Sequence, residues 1–120
     1  MIKNLVTIII VNWNGMVWLK KCMDSLYSQT YKNYEIIFVD NASMDNSVEF
    51  VKDNYPNVVI VRNKGNFGFA KGNNIGVERA KGEFVLLLNN DTWVESDLLE
   101  KLIKAFEKIH NLGSVQPKIN

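Results

Sequence analysis

Four polar clusters interrupt an otherwise apolar-rich chain: Asn12-Trp13-Asn14-Gly15, Asp40-Asn41-Ala42-Ser43, Asn63-Lys64-Gly65-Asn66 and Asn89-Asn90-Asp91-Thr92. Each follows a short run of aliphatic residues. Amides and carboxylates are hard oxygen donors, the ligand type that suits Mg²⁺ or Mn²⁺. A ligand carrying phosphate, a divalent cation and hydroxyl groups would use donors of this kind. Taken singly, each cluster also reads as Asx residues capping the helix that follows a strand. Four of them in equivalent places point to one site. The single cysteine and single histidine exclude a Cys/His zinc cluster and an internal disulfide. Gly65-x-x-Gly68-x-x-x-Gly72 departs from the dinucleotide fingerprint, and no P-loop pattern occurs.

These clusters need a frame that gathers their ends, and the hydropathy pattern supplies one. Leu5–Val11 is a continuous Ile- and Val-rich run broken only by Thr7, the pattern of a parallel strand covered on both faces. Tyr34–Val39, Val58–Val61 and Phe84–Leu88 read as strands as well. Helical spacing fills the gaps. Leu19, Cys22, Met23 and Leu26 fall on one face of Val17–Gln29, and a helix from Asp45 to Asn54 is capped by Ser43 and closed by Pro56. Phe69–Ala80 stops at Gly82, and Asp97–His110 starts from a Ser96 cap with Leu98, Leu99, Leu102, Ile103 and Phe106 facing inward. Ser114–Asn120 begins another strand, cut short by Pro117. The alternation predicts an α/β fold, a three-layer α/β/α sandwich on a mainly parallel sheet with right-handed crossovers. In such sheets ligands bind beyond the carboxyl ends of the strands, where the four clusters lie.

Composition narrows the function. The 120 residues make one domain, and 47% hydrophobic with 22% charged residues fits a folded core. Lys+Arg 14 against Asp+Glu 13 leaves a net charge of +1, without the basic footprint of a nucleic-acid binder. The longest apolar run is too short to span a bilayer, and no small-residue cleavage site follows it, so a cytoplasmic setting is expected. Cys22 lies on an apolar helical face and reads as core. Trp13 reads equally as a ligand-stacking ring or as strand-end packing; Trp18 and Trp93 read as structural. His110 reads as a helix-end residue facing the C-terminal dipole, and Glu95 and Asp97 as the start of the last helix.

Five blocks, in order and over nearly the whole chain, resemble family 2 glycosyltransferases of the GT-A fold. They are Val11-Asn12-Trp13-Asn14-Gly15, the helix end Ser25–Tyr31, the stretch Glu35–Asp45 around Asp40-Asn41-Ala42-Ser43, the stretch Asn66–Gly76, and Leu87–Thr92, which is similar to the family's DXD-type block. The resemblance implies a nucleotide-sugar pocket formed by Val11, Asn12, Asn14, Asp40, Asn66, Lys71, Asn74 and Asn90. In it, Asn12 and Asn14 lie beside the first strand and Asp40 accepts a hydrogen bond from a pyrimidine base. Asn66, Lys71 and Asn74 sit near the diphosphate and the sugar, although a solvated helix lysine is an equal reading of Lys71. Asp91, with Asn89, holds a Mg²⁺ or Mn²⁺ ion bridging the two phosphates. The implied activity is metal-dependent, inverting transfer of a sugar from a UDP- or dTDP-sugar to a saccharide or lipid-linked acceptor in polysaccharide and cell wall biogenesis.

The sequence departs from the family pattern in two ways. Asn89 stands where a full DXD has an acid, which leaves Asp91 as the one charged protein ligand; Mg²⁺ commonly binds through one or two carboxylates plus substrate phosphates. This Asn-Asn-Asp form resembles a subgroup that includes rhamnosyltransferases. Family members also continue beyond Gln116-Pro117-Lys118 into an acceptor-binding half that supplies the general base. Residues 1–120 are therefore expected to be the donor-binding portion, with the base outside this chain and no transfer by the chain alone. The full-length protein is expected to lie in the cytoplasm, with peripheral attachment at the cytoplasmic face of the membrane as a further expectation. Without the second half, Phe84–Leu88 becomes an edge lacking charges, prolines or bulges, expected to pair with the tail Ser114–Ile119 or with a second copy in a homodimer. A nucleotidyltransferase would carry a glycine-rich basic loop after the first strand, and a receiver-like domain an acidic pair there; Asn12–Gly15 provides neither. A non-catalytic nucleotide-binding module stays open for this chain by itself.

Overall fold

The computed structural model describes residues 1–111. Strands and helices alternate: β1 (Ile2–Asn12), α1 (Met16–Tyr27), β2 (Tyr34–Asp40), α2 (Ser47–Asn54), β3 (Val59–Arg62), α3 (Gly68–Arg79), β4 (Gly82–Asn89) and α4 (Leu98–Asn111). The sheet is wholly parallel, in the order β3-β2-β1-β4. β1 is central, and this explains its unbroken aliphatic run: Val6, Ile8 and Ile10 face one helical layer, Ile9 and Val11 the other. The first layer is thick. Leu19, Cys22, Met23 and Leu26 of α1, Val48 and Val51 of α2, and Leu99 and Ile103 of α4 all pack into it. α3 covers the second face, and the three expected layers are present.

Two glycines bring α3 close to the sheet. A Cβ at Gly76 would lie 2.5 Å from Ile9 Cγ2, and one at Gly72 would lie 2.7 Å from Val11 Cγ1. Any side chain at either position would push the helix away from the strand ends it serves. Thr7, the one polar residue inside the β1 run, is fully buried and joins the middle of β1 to the amino-terminal ends of β2 and β4. Its hydroxyl donates to Glu35 Oε2 at 2.6 Å and accepts from the Gly82 amide at 2.9 Å.

Both predicted helix caps are corrected. Ser43 lies four residues ahead of α2, and its hydroxyl is used at the strand ends instead. Asp45 meets the first amide of α2, accepting from Ser47 N at 3.0 Å, while its other oxygen accepts from Met16 N at the start of α1. Burial works against that carboxyl's charge, yet the bonds from Ser47 and Met16 hold it below the usual carboxylate range. It is thus an anion between two helix N-termini, where the helix dipoles favour it. For α4 the partner is Gln29 rather than Ser96. Gln29 is fully buried, accepts from Leu99 N at 3.1 Å, and donates to the Glu95 carbonyl at 2.6 Å and the Ser25 carbonyl at 3.1 Å. A long side chain from the preceding α1–β2 segment reaches what a local serine does not.

Among the described residues β4 pairs with β1 alone. Phe84 is stacked on Phe106 of α4, ring centroids 5.4 Å apart. The strand expected within Ser114–Asn120 lies outside the described residues, as does the side chain of His110. No helix among the described residues is long and apolar enough to cross a membrane.

Candidate nucleotide-sugar site

β3 connects to β4 through α3, back past β2 and β1, so the sequential strand order breaks between β1 and β4. That switch in strand order opens a crevice at the carboxyl ends of the two strands. The floor of the crevice is a hydrogen-bonded chain centred on Asn12. This side chain is fully buried. Its Nδ2 donates to Asp40 Oδ1 at 3.0 Å and to Ser43 Oγ at 3.2 Å, and its Oδ1 accepts from Asn90 Nδ2 at 2.8 Å. One amide therefore ties together the ends of β1 and β2 and the turn after β4. Gly15 makes room for it, since a Cβ there would run into Asn90 Nδ2 and Asn12 Oδ1.

Asp40 is 1% exposed. Besides Asn12, it accepts from Ser43 N at 2.9 Å and from Ser43 Oγ at 2.7 Å. The same Ser43 oxygen accepts from Asn14 N at 2.8 Å, and Asn14 Oδ1 accepts from Met44 N at 2.7 Å. The β1–α1 and β2–α2 loops are in this way knitted to each other. The knitting needs unusual backbone: Asn14 has φ +51° and Ala42 φ +61°. Asparagine tolerates that left-handed conformation, whereas alanine adopts it only under strain.

Asn41, also 1% exposed, does for β3 and α3 what Asn12 does for β4. Its Nδ2 donates to the Gly68 carbonyl at 3.1 Å and its Oδ1 accepts from Asn63 Nδ2 at 2.8 Å. Sequence reading gave no role to Asn41, Asn63 or Gly15, and to Ser43 only that of a helix cap. Their only signal was membership of the polar clusters. Asn73 was missed as well: it is 5% exposed on α3, and its Oδ1 lacks a hydrogen-bond partner among the described residues.

The predicted pocket residues separate into two groups. Val11, Asn12 and Asp40 are buried and Asn90 is bonded to Asn12, so these four build the floor and the packing beneath it. Asn14, Asn66, Lys71, Asn74, Asn89 and Asp91 are exposed. Asn66 Oδ1 accepts from Gly68 N at 3.1 Å, at the positive-φ residue (+85°) that starts α3. The α3 N-cap, Phe67, supplies no side-chain hydrogen bond, and Lys71 in the first turn lies with its Nζ 4.5 Å from the centre of the Phe67 ring. Asp40 and Asp91 do not follow neighbouring strands: β1 runs between them, and its Asn12 bonds Asp40 on one side and Asn90 on the other. No group of three or more His, Cys, Asp or Glu able to hold a metal occurs among the described residues. Asn89 and Asp91 fit a cation that completes its shell with phosphate oxygens, not a cage made by protein alone.

The loop bearing Asp91 is held to α1. Val94 N donates to Ser25 Oγ at 3.2 Å, and Lys21 Nζ lies 3.7 Å from the centre of the Trp93 ring. Trp18 and Trp93, expected to be structural, are about half exposed, as is Trp13. Burial, reinforced by the negative charge of Asp91, pushes the Cys22 thiol up to about 12, so it is a protonated core group as its helical position indicated.

The Glycosyl transferase family 2 model matches residues 7–118. Glycosyltransferase GlyA of Streptococcus pneumoniae is 34% identical over 101 residues, which are 82% of this chain and 14% of that protein. S. aureus TarS 1-349 in complex with UDP-GlcNAc has a TM-score of 0.80 at 25% identity, covering 88% of this chain and 32% of the other. Mannosyltransferase PcManGT from Pyrobaculum calidifontis, in complex with GDP-Man and Mn²⁺, has a TM-score of 0.74 at 27% identity, over 82% of this chain and 31% of the other. The chain thus spans a third or less of the length of these proteins.

Two substitutions test the floor. Asn12→Ala strands the partly buried Asn90 amide and removes a donor from buried Asp40, and should cost about 1–3 kcal/mol in urea unfolding at unchanged slope. A loss below about 0.5 kcal/mol, the range of ordinary surface changes, would show that the amide is not the link. Ala42→Gly removes a left-handed penalty of about 1–2 kcal/mol against a glycine entropy cost of about 0.5–1 kcal/mol. The variant should gain about 0.5–1 kcal/mol, and a destabilised variant would contradict the strain.

Proposed function

The chain belongs to glycosyl transferase family 2, and from that premise we propose that it is the donor-binding portion of a glycosyltransferase, taking a UDP- or dTDP-linked sugar into the crevice between β1 and β4. One observation carries the reading. The buried Asn12–Asp40–Asn90 chain sets the exposed Asn89 and Asp91 at the switch point of a parallel GT-A-type sheet, where a ligand of this class binds. The UDP-GlcNAc held by TarS and the GDP-Man and Mn²⁺ held by PcManGT support the same donor class and a divalent cation.

In this reading Asp91, assisted by Asn89, shares Mg²⁺ or Mn²⁺ with the diphosphate. When bound, the cation offsets the charge that develops on the leaving nucleoside diphosphate. The free amides at the start of α3, with Lys71 one turn in and Asn74 beyond it, favour phosphate oxygens and sugar hydroxyls. Asn14 and Asn66 line the loops on either side. Asp40 has three of its acceptor positions taken by Asn12 and Ser43, so a bond to the base would use the remaining one on Oδ2. An inverting displacement also needs a base for the acceptor hydroxyl, which we assign to residues other than those of the donor crevice. The acceptor class, saccharide or lipid-linked, belongs to the same proposal.

Calorimetry with UDP and with dTDP, each with and without Mn²⁺, tests the donor site. Mn²⁺ should tighten binding about tenfold, and Asp91→Ala should abolish that gain while the fold persists. Equal binding by the variant and the parent chain in Mn²⁺ would remove the metal assignment. The outer edge of β4 is the basis of a second expectation, pairing with another copy of this chain. Sedimentation velocity should then show a concentration-dependent dimer, and a monomer across the whole series would contradict it.

A further inference from the structure

A second concavity, of about 200 Å³, lies at the opposite end of the sheet, between the end of α1, the start of β2 and the turn before β3. β2 runs from Tyr34 at this cleft to Asp40 at the crevice floor, so the two are about 20 Å apart at the ordinary strand rise. Tyr34 and Ile36 turn to the layer that holds α1 and α2, where Ile36 and Val58 give the cleft an apolar floor. Tyr27 and Tyr34 form half-buried walls. The Tyr27 wall is backed by a second ring, that of Tyr55, 5.1 Å away, whose hydroxyl donates to Asp24 at 2.7 Å.

The charge of this cleft has one sign. Glu35 alternates with Tyr34 and Ile36 along β2, so its carboxylate belongs to the other face of the sheet. There its Oε2 takes the Thr7 hydroxyl at 2.6 Å and the Lys81 amide at 2.8 Å. Asp24, behind the tyrosines, is occupied by the Tyr55 hydroxyl and by Lys20. Lys32 is therefore the one charge left to the cleft among the described residues. It takes no part in the ion pairs found there, which are Lys20–Asp24, Lys101–Asp97 and Lys104–Glu100. Asn57 and the hydroxyls of Tyr27 and Tyr34 complete the polar lining. Burial pushes both hydroxyls up, with no hydrogen bond contributing, so each stays protonated and has its proton to give.

That combination selects a ligand class. An ammonium and two phenol hydroxyls are donors, and anionic oxygens accept from all three, whereas Lys32 opposes a cation. Tyrosine rings beside Ile36 and Val58 suit a flat apolar body. We propose that this cleft binds a small organic anion, one apolar ring carrying a carboxylate or a phosphate, at a site separate from the donor crevice. Its volume is below that of sites for drug-sized ligands, which limits the body to a single ring. An inorganic anion would gain nothing from the apolar walls, and a neutral ring nothing from the charge of Lys32.

Titration of the ¹⁵N-labelled chain with benzoate, phenyl phosphate, benzyl alcohol and benzylamine, followed by amide shifts, tests this. At least one of the two anions should give saturable shifts at Lys32–Ile36 and Asn57–Val58, with a Kd of about 1–10 mM and Asn12–Gly15 unmoved. It should bind about fivefold or more tightly than the alcohol or the amine, and which anion saturates first tells carboxylate from phosphate. Lys32 is exposed, so Lys32→Ala and Lys32→Glu should keep the fold. The first should weaken anion binding about fivefold or more, and the second should abolish it and admit benzylamine instead. Tyr34→Phe keeps the wall, removes one donor and should weaken anion binding about threefold. Saturation by neither anion, equal binding of benzyl alcohol, or anion binding that Lys32→Glu leaves unchanged would overturn the proposal.

Discussion

The Asn12 side chain is the point on which the crevice depends, because an amide is both donor and acceptor and β1 lies between the two strands it must join. An acid at this position would offer no proton to Asp40, and an apolar residue would leave Asp40 and Asn90 short of partners in a buried place. Thr7 plays the corresponding part in the middle of the same strand, donating towards β2 and accepting from β4. From Leu5 to Asn12 the central strand is thus aliphatic except at Thr7 and Asn12, each bonded on both sides. Four residues separate the two anchors, and they hold the parallel register that makes one rim of four loops.

Around that strand, close packing and helix-end chemistry fix the rest. The two glycines of α3 let the helix rest on Ile9 and Val11, which brings its N-terminus and Lys71 to the rim. On the other face Gln29 and Ser25 of the α1 region hold the segment after β4, so Asp91 leaves the sheet on a loop whose course is set by buried hydrogen bonds. Asp45 serves the starts of α1 and α2 together. Each loop that meets the crevice is therefore held by a side chain from another element, which limits how far it moves when a ligand arrives.

The electrostatics follow the same division. Negative charge is buried and compensated at Asp40, and exposed at Asp91. In the function proposed above, the exposed carboxylate would recruit a cation, whose affinity, with one such carboxylate and amides elsewhere, would depend on the phosphates that arrive with it. Lys71 and the α3 amides would supply the positive side of the same recognition.

The sequence by itself determined the class of fold, since strand-length aliphatic runs alternating with helical spacing leave a parallel sheet as the way to bury both. It also put every polar cluster directly after a strand, and so at one end of a parallel sheet. It could not assign roles within a cluster. Asn12, Asn14, Asn41, Asn89 and Asn90 are the same residue type in similar local contexts, and what separates the organisers Asn12 and Asn41 from the exposed Asn14 and Asn89 is whether the neighbouring strands and loops bury the side chain and bond both its oxygen and its nitrogen. That is a property of strand order, and β3-β2-β1-β4 is set by the long α3 crossover, not by any local pattern. The caps failed for the same reason: Ser43 and Ser96 satisfy a local rule, but Asp45 and Gln29 reach the helix starts once the chain is folded, and the longer reach prevails.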